Sequence, residues 1–524
     1  MMPSETRQEQ PASSNLAIVL LLAASLVWCI YWAVHARGYW EDDAYIHLEF
    51  ARSLAAGRGF AFNGHVVAGD TAPLWVLLLA GMHAFVPDWL AAGKALTVLG
   101  AVFGLAGIYA FARRLASSLL PPAIAQVFPA AMILLIVVNP YSSYWLFSGM
   151  EPIAAAGLAC FAVLAAAQKV ATGKTFLAGC LLAGLAPLLR PEMIFLTALL
   201  ALPLLAQARR LPASSTKFAV IAAGFVLLCA PLALWSLYSL HAFGHLLPNT
   251  NAAKRAGPGD SVVKRLASIY SLGFPVIVAG LLAGIACLAL RPSAIRSSIQ
   301  NAFTPTSEST SSTLPLAGWI FILWPSIAAI FYIANHTYVQ TRYILVTAPG
   351  LIVVVMALAL RLSRVAGRFL YSAALVWAIV VSVIVVRPFV RNKAINCRAV
   401  DSLANFMRDR IPPGAPVAAY AIGQIAFVSE HPIIDTGGIT RPEAIPFLDS
   451  PTQTLRWARS EGAQYYITDK SPEPGSTMVY SEDFPFTGWT FHTASYAIYG
   501  RGGIWKLPSA SNQLPPPVSA SPHP

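Results

Sequence analysis

The stretch LAIVLLLAASLVWCIYWAV, residues 16–34, followed shortly by WEDDAYIH, residues 40–47, decides the fold. About 19 uncharged residues fall within the roughly 17–25 that cross a bilayer. They exceed the roughly 7–15 of a signal-peptide core. Val34-His-Ala36 offers a small-residue cleavage pattern, yet many further apolar segments follow, so the stretch reads as an uncleaved first transmembrane helix. Glu41, Asp42 and Asp43 stand in a row at its exit. Carboxylates next to lipid are costly to desolvate and usually functional. The plain alternative is a solvated turn that orients the helix.

Composition points the same way. Hydrophobic residues make up 56% of the 524 and charged residues 11%, against roughly 25% charged in soluble domains. The net charge of +12 suits anionic lipid or an anionic substrate. Nucleic acid is excluded as a partner, because the Lys and Arg are scattered among apolar segments and form no single face. Five of the six cysteines lie inside apolar segments, and no pair is set up for a disulfide or a metal.

Spans are expected near 16–36, 93–112, 122–140, 152–168, 175–189, 193–207, 218–239, 272–290, 315–334, 343–360 and 369–387. The segment Pro73–Val86 is too short to cross and reads as interfacial or re-entrant. With residue 1 inside, the inner loops then hold Arg113/Arg114, Lys169/Lys174, Arg209/Arg210/Lys217, Arg291/Arg296 and Arg361/Arg364/Arg368. That is a positive-inside pattern, and it collapses if Pro73–Val86 crosses. About 11 helices follow from this count. The fold class is thus a polytopic α-helical membrane protein with a small C-terminal α/β soluble domain. The domain limits are a disordered N-terminus at 1–15, a transmembrane domain at 16–390 with its outer loop at 37–92, a soluble unit at 391–507 and a disordered tail at 508–524. Ser297–Thr313 reads as a flexible inner loop. In the soluble unit, strands are expected near 416–420, 433–435, 464–468 and 503–507, with helices near 397–410 and 452–461.

This topology gathers Asp42/Asp43, Ser148-Gly-Met-Glu151, Arg190-Pro-Glu192, Pro248-Asn-Thr250 with Lys254, and Gln340-Thr-Arg342-Tyr343 on the outer face. A single membrane-surface active site accounts for that segregation. Residues 43–54 have helical periodicity, so one of Asp42 and Asp43 is expected to cap a short surface helix, leaving the other free to take a proton or bind a metal. Structural readings stand beside the functional ones. Glu151 could only favour a helix N-terminus, Arg190 and Glu192 could neutralise each other, and Arg342 could anchor the interface beside Tyr343. His47, His65, His83 and His336 are not spaced as a metal site.

The motifs Asp42-Asp-Ala-Tyr-Ile46, Gly57-Arg-Gly-Phe60, Phe62-Asn-Gly64 and Thr71-Ala-Pro-Leu-Trp75 resemble the first outer loop of GT-C fold membrane glycosyltransferases. The likeness is nearest to the terminal arabinofuranosyltransferase-like branch. Ser148-Gly-Met-Glu151, Leu189-Arg-Pro-Glu192, Leu247-Pro-Asn-Thr250 with Lys254, and Thr341-Arg-Tyr343 follow in that branch's order. Asp435-Thr-Gly-Gly438 looks similar in the last domain. The resemblance covers 16–360 well and the C-terminal unit loosely. One departure is Asn251-Ala-Ala253, where relatives tend to carry aromatics.

The resemblance implies transfer of a sugar, arabinofuranose in the nearest branch, from a polyprenyl-phosphate donor to a glycan, lipid or protein acceptor at the outer face of an inner (plasma) membrane. Asp42, with Asp43 second, is then the expected general base. Lys254, Arg255, Arg342 and Arg190 are expected on the donor phosphate. Glu151, Glu192, Asn249, Thr250 and Tyr45 are expected to contact substrate. The sequence identifies no cofactor, and a divalent cation is left open. A transporter would show paired repeats with helices broken near the midplane, and none is found. A non-catalytic envelope scaffold is the remaining alternative. Reporter fusions test the topology: a periplasm-dependent reporter should be silent at residue 115 and active at residue 395, and the reverse at either position overturns it.

Overall fold

The computed structural model describes residues 12–168, 172–255, 261–280, 282, 314–484 and 500–508. Residues 281 and 283–290 of the expected span 272–290 fall outside these residues. So do Lys169, Arg291 and Arg296, the loop Ser297–Thr313, the tail from 509 and residues 1–11 of the expected disordered N-terminus. The first helix already begins at Ala12, inside the stretch expected to be disordered.

Among the described residues, seven helices are long and apolar enough to cross a membrane: Ser14–His35, Trp89–Leu119, Met193–Arg210, Lys217–Phe243, Leu316–Ala334, Thr341–Leu362 and Arg364–Arg410. Shorter apolar helices run over Pro122–Val137, Pro152–Ala166 and Gly173–Leu189. Each of the expected spans other than 272–290 thus coincides with a described helix. Pro73–His83 is an 11-residue helix, about 16 Å at 1.5 Å per residue and far short of a bilayer core. Local signals set the helix starts. Pro occupies the first positions of Pro73–His83, Pro122–Val137 and Pro152–Ala166, where its missing N–H costs nothing. Asp88 caps Trp89–Leu119 by accepting from the Ala91 N–H at 2.7 Å.

The helices Trp89–Leu119 and Pro152–Ala166 cross closely enough to need glycine on both sides. A Cβ on Gly157 would lie 2.3 Å from Gly104 Cα, and one on Gly104 would lie 2.2 Å from the Ile153 carbonyl oxygen. Small residues allow such an approach in membranes, where van der Waals packing drives association.

Past the expected span end at residue 387 the chain continues as one helix of 47 residues, Arg364–Arg410, passing through a π turn at Ser382–Val386. Proline removes an N–H and crowds the preceding turn, and the wider π turn just before it absorbs that crowding. Ser382 Oγ also donates to the Val138 carbonyl at 2.8 Å, pinning the junction to the Pro122–Val137 helix end. The same helix therefore leads from lipid into the C-terminal unit.

That unit is built on a five-stranded sheet of order β4-β3-β5-β7-β6, with β3 Val417–Ala419, β4 Ile433–Asp435, β5 Tyr465–Thr468, β6 Thr477–Phe484 and β7 Gly500–Lys506. β3 pairs in parallel with β4 and β5, while β7 is antiparallel to β5 and β6. Four strands lie where alternation predicts them; β6, an eight-residue strand at the edge, is unforeseen. β1 Ala61–Phe62 and β2 His65–Val66 form a small hairpin in the outer loop.

The sheet unit is fastened to that loop by polar contacts. Asn63 donates to the His431 carbonyl at 3.0 Å and accepts from the Ile433 N–H at 2.9 Å. Arg52 meets Glu430 at 3.0 Å. Gly423, at the start of the helix Gly423–Ser429, touches the Asp42 backbone so closely that a Cβ would lie 2.0 Å from its carbonyl oxygen. Overpacking the Gly104–Gly157 crossing should destabilise the membrane domain by about 1–3 kcal/mol. Gly157→Val is expected to lower the unfolding temperature of the detergent-purified chain. Gly81→Ala, with nothing within 4 Å of its Cβ, is expected to leave it unchanged.

Candidate active site

The helix Asp42–Ala55 opens the site, and its first residues go to different partners. Glu41 is the N-cap position without a side-chain cap bond, and Asp42 and Asp43 lie in the first turn. Neither aspartate is therefore the cap that periodicity suggested; both favour the helix through its dipole. The Glu41 carboxylate accepts from Tyr39 Oη and Tyr144 Oη, each at 2.6 Å, which ties the loop to the helix Pro140–Trp145. The Asp42 carboxylate accepts the backbone N–H groups of Gly423 at 3.1 Å and Gln424 at 2.9 Å, at the N-terminus of the helix Gly423–Ser429. Burial outweighs those bonds, and with the neighbouring Asp43 charge it pushes the Asp42 carboxyl up to about 6. Asp43 points the other way and pairs with Arg342. Burial alone would raise Asp43, but Arg342 and then Lys254 hold it below the usual carboxylate value.

Arg342 stands in the first turn of Thr341–Leu362, beside the rings of Trp145 at 5.5 Å and Tyr343 at 5.6 Å. Trp145 is fixed by donating Nε1–H to Thr341 Oγ1 at 2.8 Å. Lys254 ends the helix Asn249–Arg255 and donates to Tyr343 Oη at 2.5 Å. Asp43, Arg342, Tyr343 and Lys254 thus meet from three separate segments.

A second line of charges runs beside them. His47 is four residues beyond Asp43 and so shares its helix face. Its Nδ1 lies 2.5 Å from Asp70 Oδ2 and its Nε2 lies 3.5 Å from Glu151 Oε2. Burial alone would lower the imidazole, but the Asp70 and Glu151 carboxylates reverse that and push it up to about 10. Asp70 is held in turn by the Ala72 N–H at 2.6 Å. Glu151 then accepts from Arg190 at 2.7 Å, and Arg190 pairs with Glu192 at 2.9 Å. Burial would raise the Glu151 carboxyl, while Arg190 and then His47 hold it well below the usual range. Acids and cations alternate along the whole line, as buried charges must.

Beside the long 3.5 Å approach of His47 Nε2 to Glu151 Oε2, Arg342 Nε, Asn249 Nδ2 and Gln340 Oε1 are buried without a hydrogen-bond partner among the described residues. Buried polar atoms are nearly always satisfied, which sets these three apart. Asn249 and Thr250 are buried at the start of their helix, with the Asn249 N–H on the Ala68 carbonyl at 2.9 Å.

Three of the expected site residues are placed as follows. Tyr45 is buried between Trp40 and Phe427, with ring centroids at 6.5 Å and 5.7 Å, so it packs the loop against the C-terminal unit. Arg255 is exposed. Arg190 is engaged by two carboxylates and is not a free cation. His47, Asp70 and Glu41 were not anticipated as members. The spacing of Asp43 and His47 on one helix face was the available signal for His47. Among the described residues no group of three or more His, Cys, Asp or Glu side chains is arranged to hold a metal, and a divalent cation on Asp43 would have to displace Arg342.

Because folding raises the His47 value from 6.5 to about 10, the protonated imidazole stabilises the native state. That contribution is complete below about 6.5 and lost as pH rises through about 10. The stability difference between the native chain and His47→Asn, followed by denaturant unfolding in detergent, should shrink steadily across that window. A constant difference would show that His47 is neutral in the fold.

Residues 390–507 match the model of a domain of unknown function (DUF8728). Compared with curated protein sequences, the chain matches none. Among solved structures, ArnT from Cupriavidus metallidurans in the apo state is similar over 95% of this chain and 99% of that one, with a TM-score of 0.54 and 13% identity. The same protein bound to undecaprenyl phosphate is similar over 96% and 100%, with a TM-score of 0.50 and 14% identity. At such identity the likeness speaks for the fold, and the chain is a polytopic helical membrane protein of the GT-C fold with a C-terminal sheet domain.

Proposed function

We propose that the chain is a glycosyltransferase that moves a sugar from a polyprenyl-phosphate donor to a glycan, lipid or protein acceptor on the outer face of an inner (plasma) membrane. In this reading the catalytic domain is 16–390, with the C-terminal unit on the same outer side. The observation that carries it is the convergence of Asp43, Arg342, Tyr343 and Lys254 beside a line of buried, mutually paired charges. The GT-C fold, and a neighbour of that fold whose structure holds undecaprenyl phosphate, support the donor class. The motif order of the outer loops favours arabinofuranose as the sugar.

The geometry suggests how the residues divide the work. Asp43, rather than Asp42, is the base. While Arg342 pairs with it, Asp43 is a weak one. A donor phosphate is a stronger partner for a guanidinium, so Arg342 and Lys254 turn to the phosphate and Asp43 recovers basicity as its counter-ion leaves. The acceptor hydroxyl then gives its proton to Asp43 as its oxygen bonds to the anomeric carbon. The bond from that carbon to the phosphate oxygen breaks, and polyprenyl phosphate departs with an added negative charge that Arg342 and Lys254 stabilise. Asn249, Thr250, Glu151 and Glu192 line the substrate side.

Loss of a general base typically costs about 10²–10⁴ in rate. Asp43→Asn should therefore nearly abolish transfer in a purified assay while unfolding as the native chain does. Asp42→Ala should loosen the C-terminal unit, seen as faster limited proteolysis after residue 390. Lys254→Ala should reduce kcat/KM by roughly 10–150-fold with long and short donor chains alike, since one charged phosphate contact is worth about 1.5–3 kcal/mol. Near-normal turnover of Asp43→Asn would end the catalytic assignment.

A further inference from the structure

A cavity of about 390 Å³ opens away from Asp43, at the membrane boundary where the first helix ends. It is lined by Val34, His35, Arg37, Gly38, Arg391, Ala394, Ile395 and Arg398. Three arginines line it and no carboxylate does. Among the described residues none of the three forms an ion pair. All three arginines are exposed to solvent, and an anion seated among them meets three positive charges and no carboxylate.

The space itself is built. Arg391 and Arg398 are two turns apart and so share a face of the helix Arg387–Arg410. The small Ala394 lies between them, and Gly38 faces them with Arg398 Nη1 3.3 Å from where its Cβ would be. Below the cavity, toward the membrane, both helices show apolar side chains to lipid. Ile30 is 55% exposed, Val34 61% and Ile384 68%. The wall is therefore greasy on one side of the boundary and cationic just past it, which matches a molecule with an acyl tail and a phosphate. Arginine's planar fork favours phosphate over a simple halide or carboxylate-poor surface.

We propose that this cavity binds the phosphate headgroup of a membrane phospholipid, at a site separate from the sugar donor. A bound headgroup bridges the end of the first helix to Arg387–Arg410. The opposite face of that second helix carries Cys397, whose Sγ–H donates to the Trp40 carbonyl at 3.3 Å. The lipid thus steadies residues 37–41, the root from which Asp42 and Asp43 project.

The test uses the full purified chain, delipidated and titrated in detergent with phosphatidylglycerol, with diacylglycerol as the phosphate-free control, and read by native mass spectrometry. Phosphatidylglycerol should bind and diacylglycerol should not. Arg391→Ala and Arg398→Ala should each weaken binding about tenfold or more. Gly38→Leu fills the space and keeps every charge, and it should weaken binding as well. Inorganic phosphate at matched concentration should not displace the lipid. Equal binding of diacylglycerol, unchanged affinity in both arginine variants, or unchanged affinity in Gly38→Leu overturns the proposal. Displacement by inorganic phosphate overturns it in favour of a free-phosphate site.

Discussion

An ionised side chain buried beside lipid has to find an opposite charge or a set of N–H donors, and the end of the protein around residues 41–43 is arranged by that requirement. The loop after the first helix delivers Glu41, Asp42 and Asp43 in succession, and each is claimed by a different part of the chain. Two tyrosine hydroxyls hold Glu41, a helix N-terminus holds Asp42, and Arg342 holds Asp43. Loop, membrane helices and sheet domain are positioned by the same short acidic run.

The pairing has a functional side. Under the function proposed above, a donor phosphate that draws Arg342 away would change the character of Asp43 in the same event. The parallel line from Asp70 to Glu192 has less freedom, since His47, Glu151 and Arg190 are each held on two sides.

Much of this was legible in the sequence. Hydropathy located the helices, and residues from the clusters at 42–43, 148–151, 190–192, 249–254 and 340–343 are brought together by the fold. The division of labour within a cluster was not legible. Asp42 and Asp43 are adjacent and chemically alike, and only the position of residues 342 and 423 tells them apart. Lys254 and Arg255 are likewise adjacent, about 100° apart on a helix, so one faces Tyr343 and the other faces water. Tyr45 has a site-like setting in the motif yet packs against Phe427, a residue far along the chain. At Arg387-Pro388 the helix runs on past a proline, which ordinarily ends one, and nothing local announces a π turn.

The attachment of Asp42 to Gly423 spans 381 positions of sequence, and that of Asp43 to Arg342 spans 299. During synthesis at about 5–20 residues per second, the acidic run emerges early and waits on the order of tens of seconds for either partner. In that interval its carboxylates must stay hydrated, so the outer loop cannot settle against the bilayer on its own. The Asp43–Arg342 pair can close only after Arg342 has been inserted, and the loop is locked down only when the last domain has folded onto it. A chain truncated before residue 423 would carry every transmembrane helix and still lack the latch, which makes the C-terminal unit a checkpoint on assembly of the membrane domain.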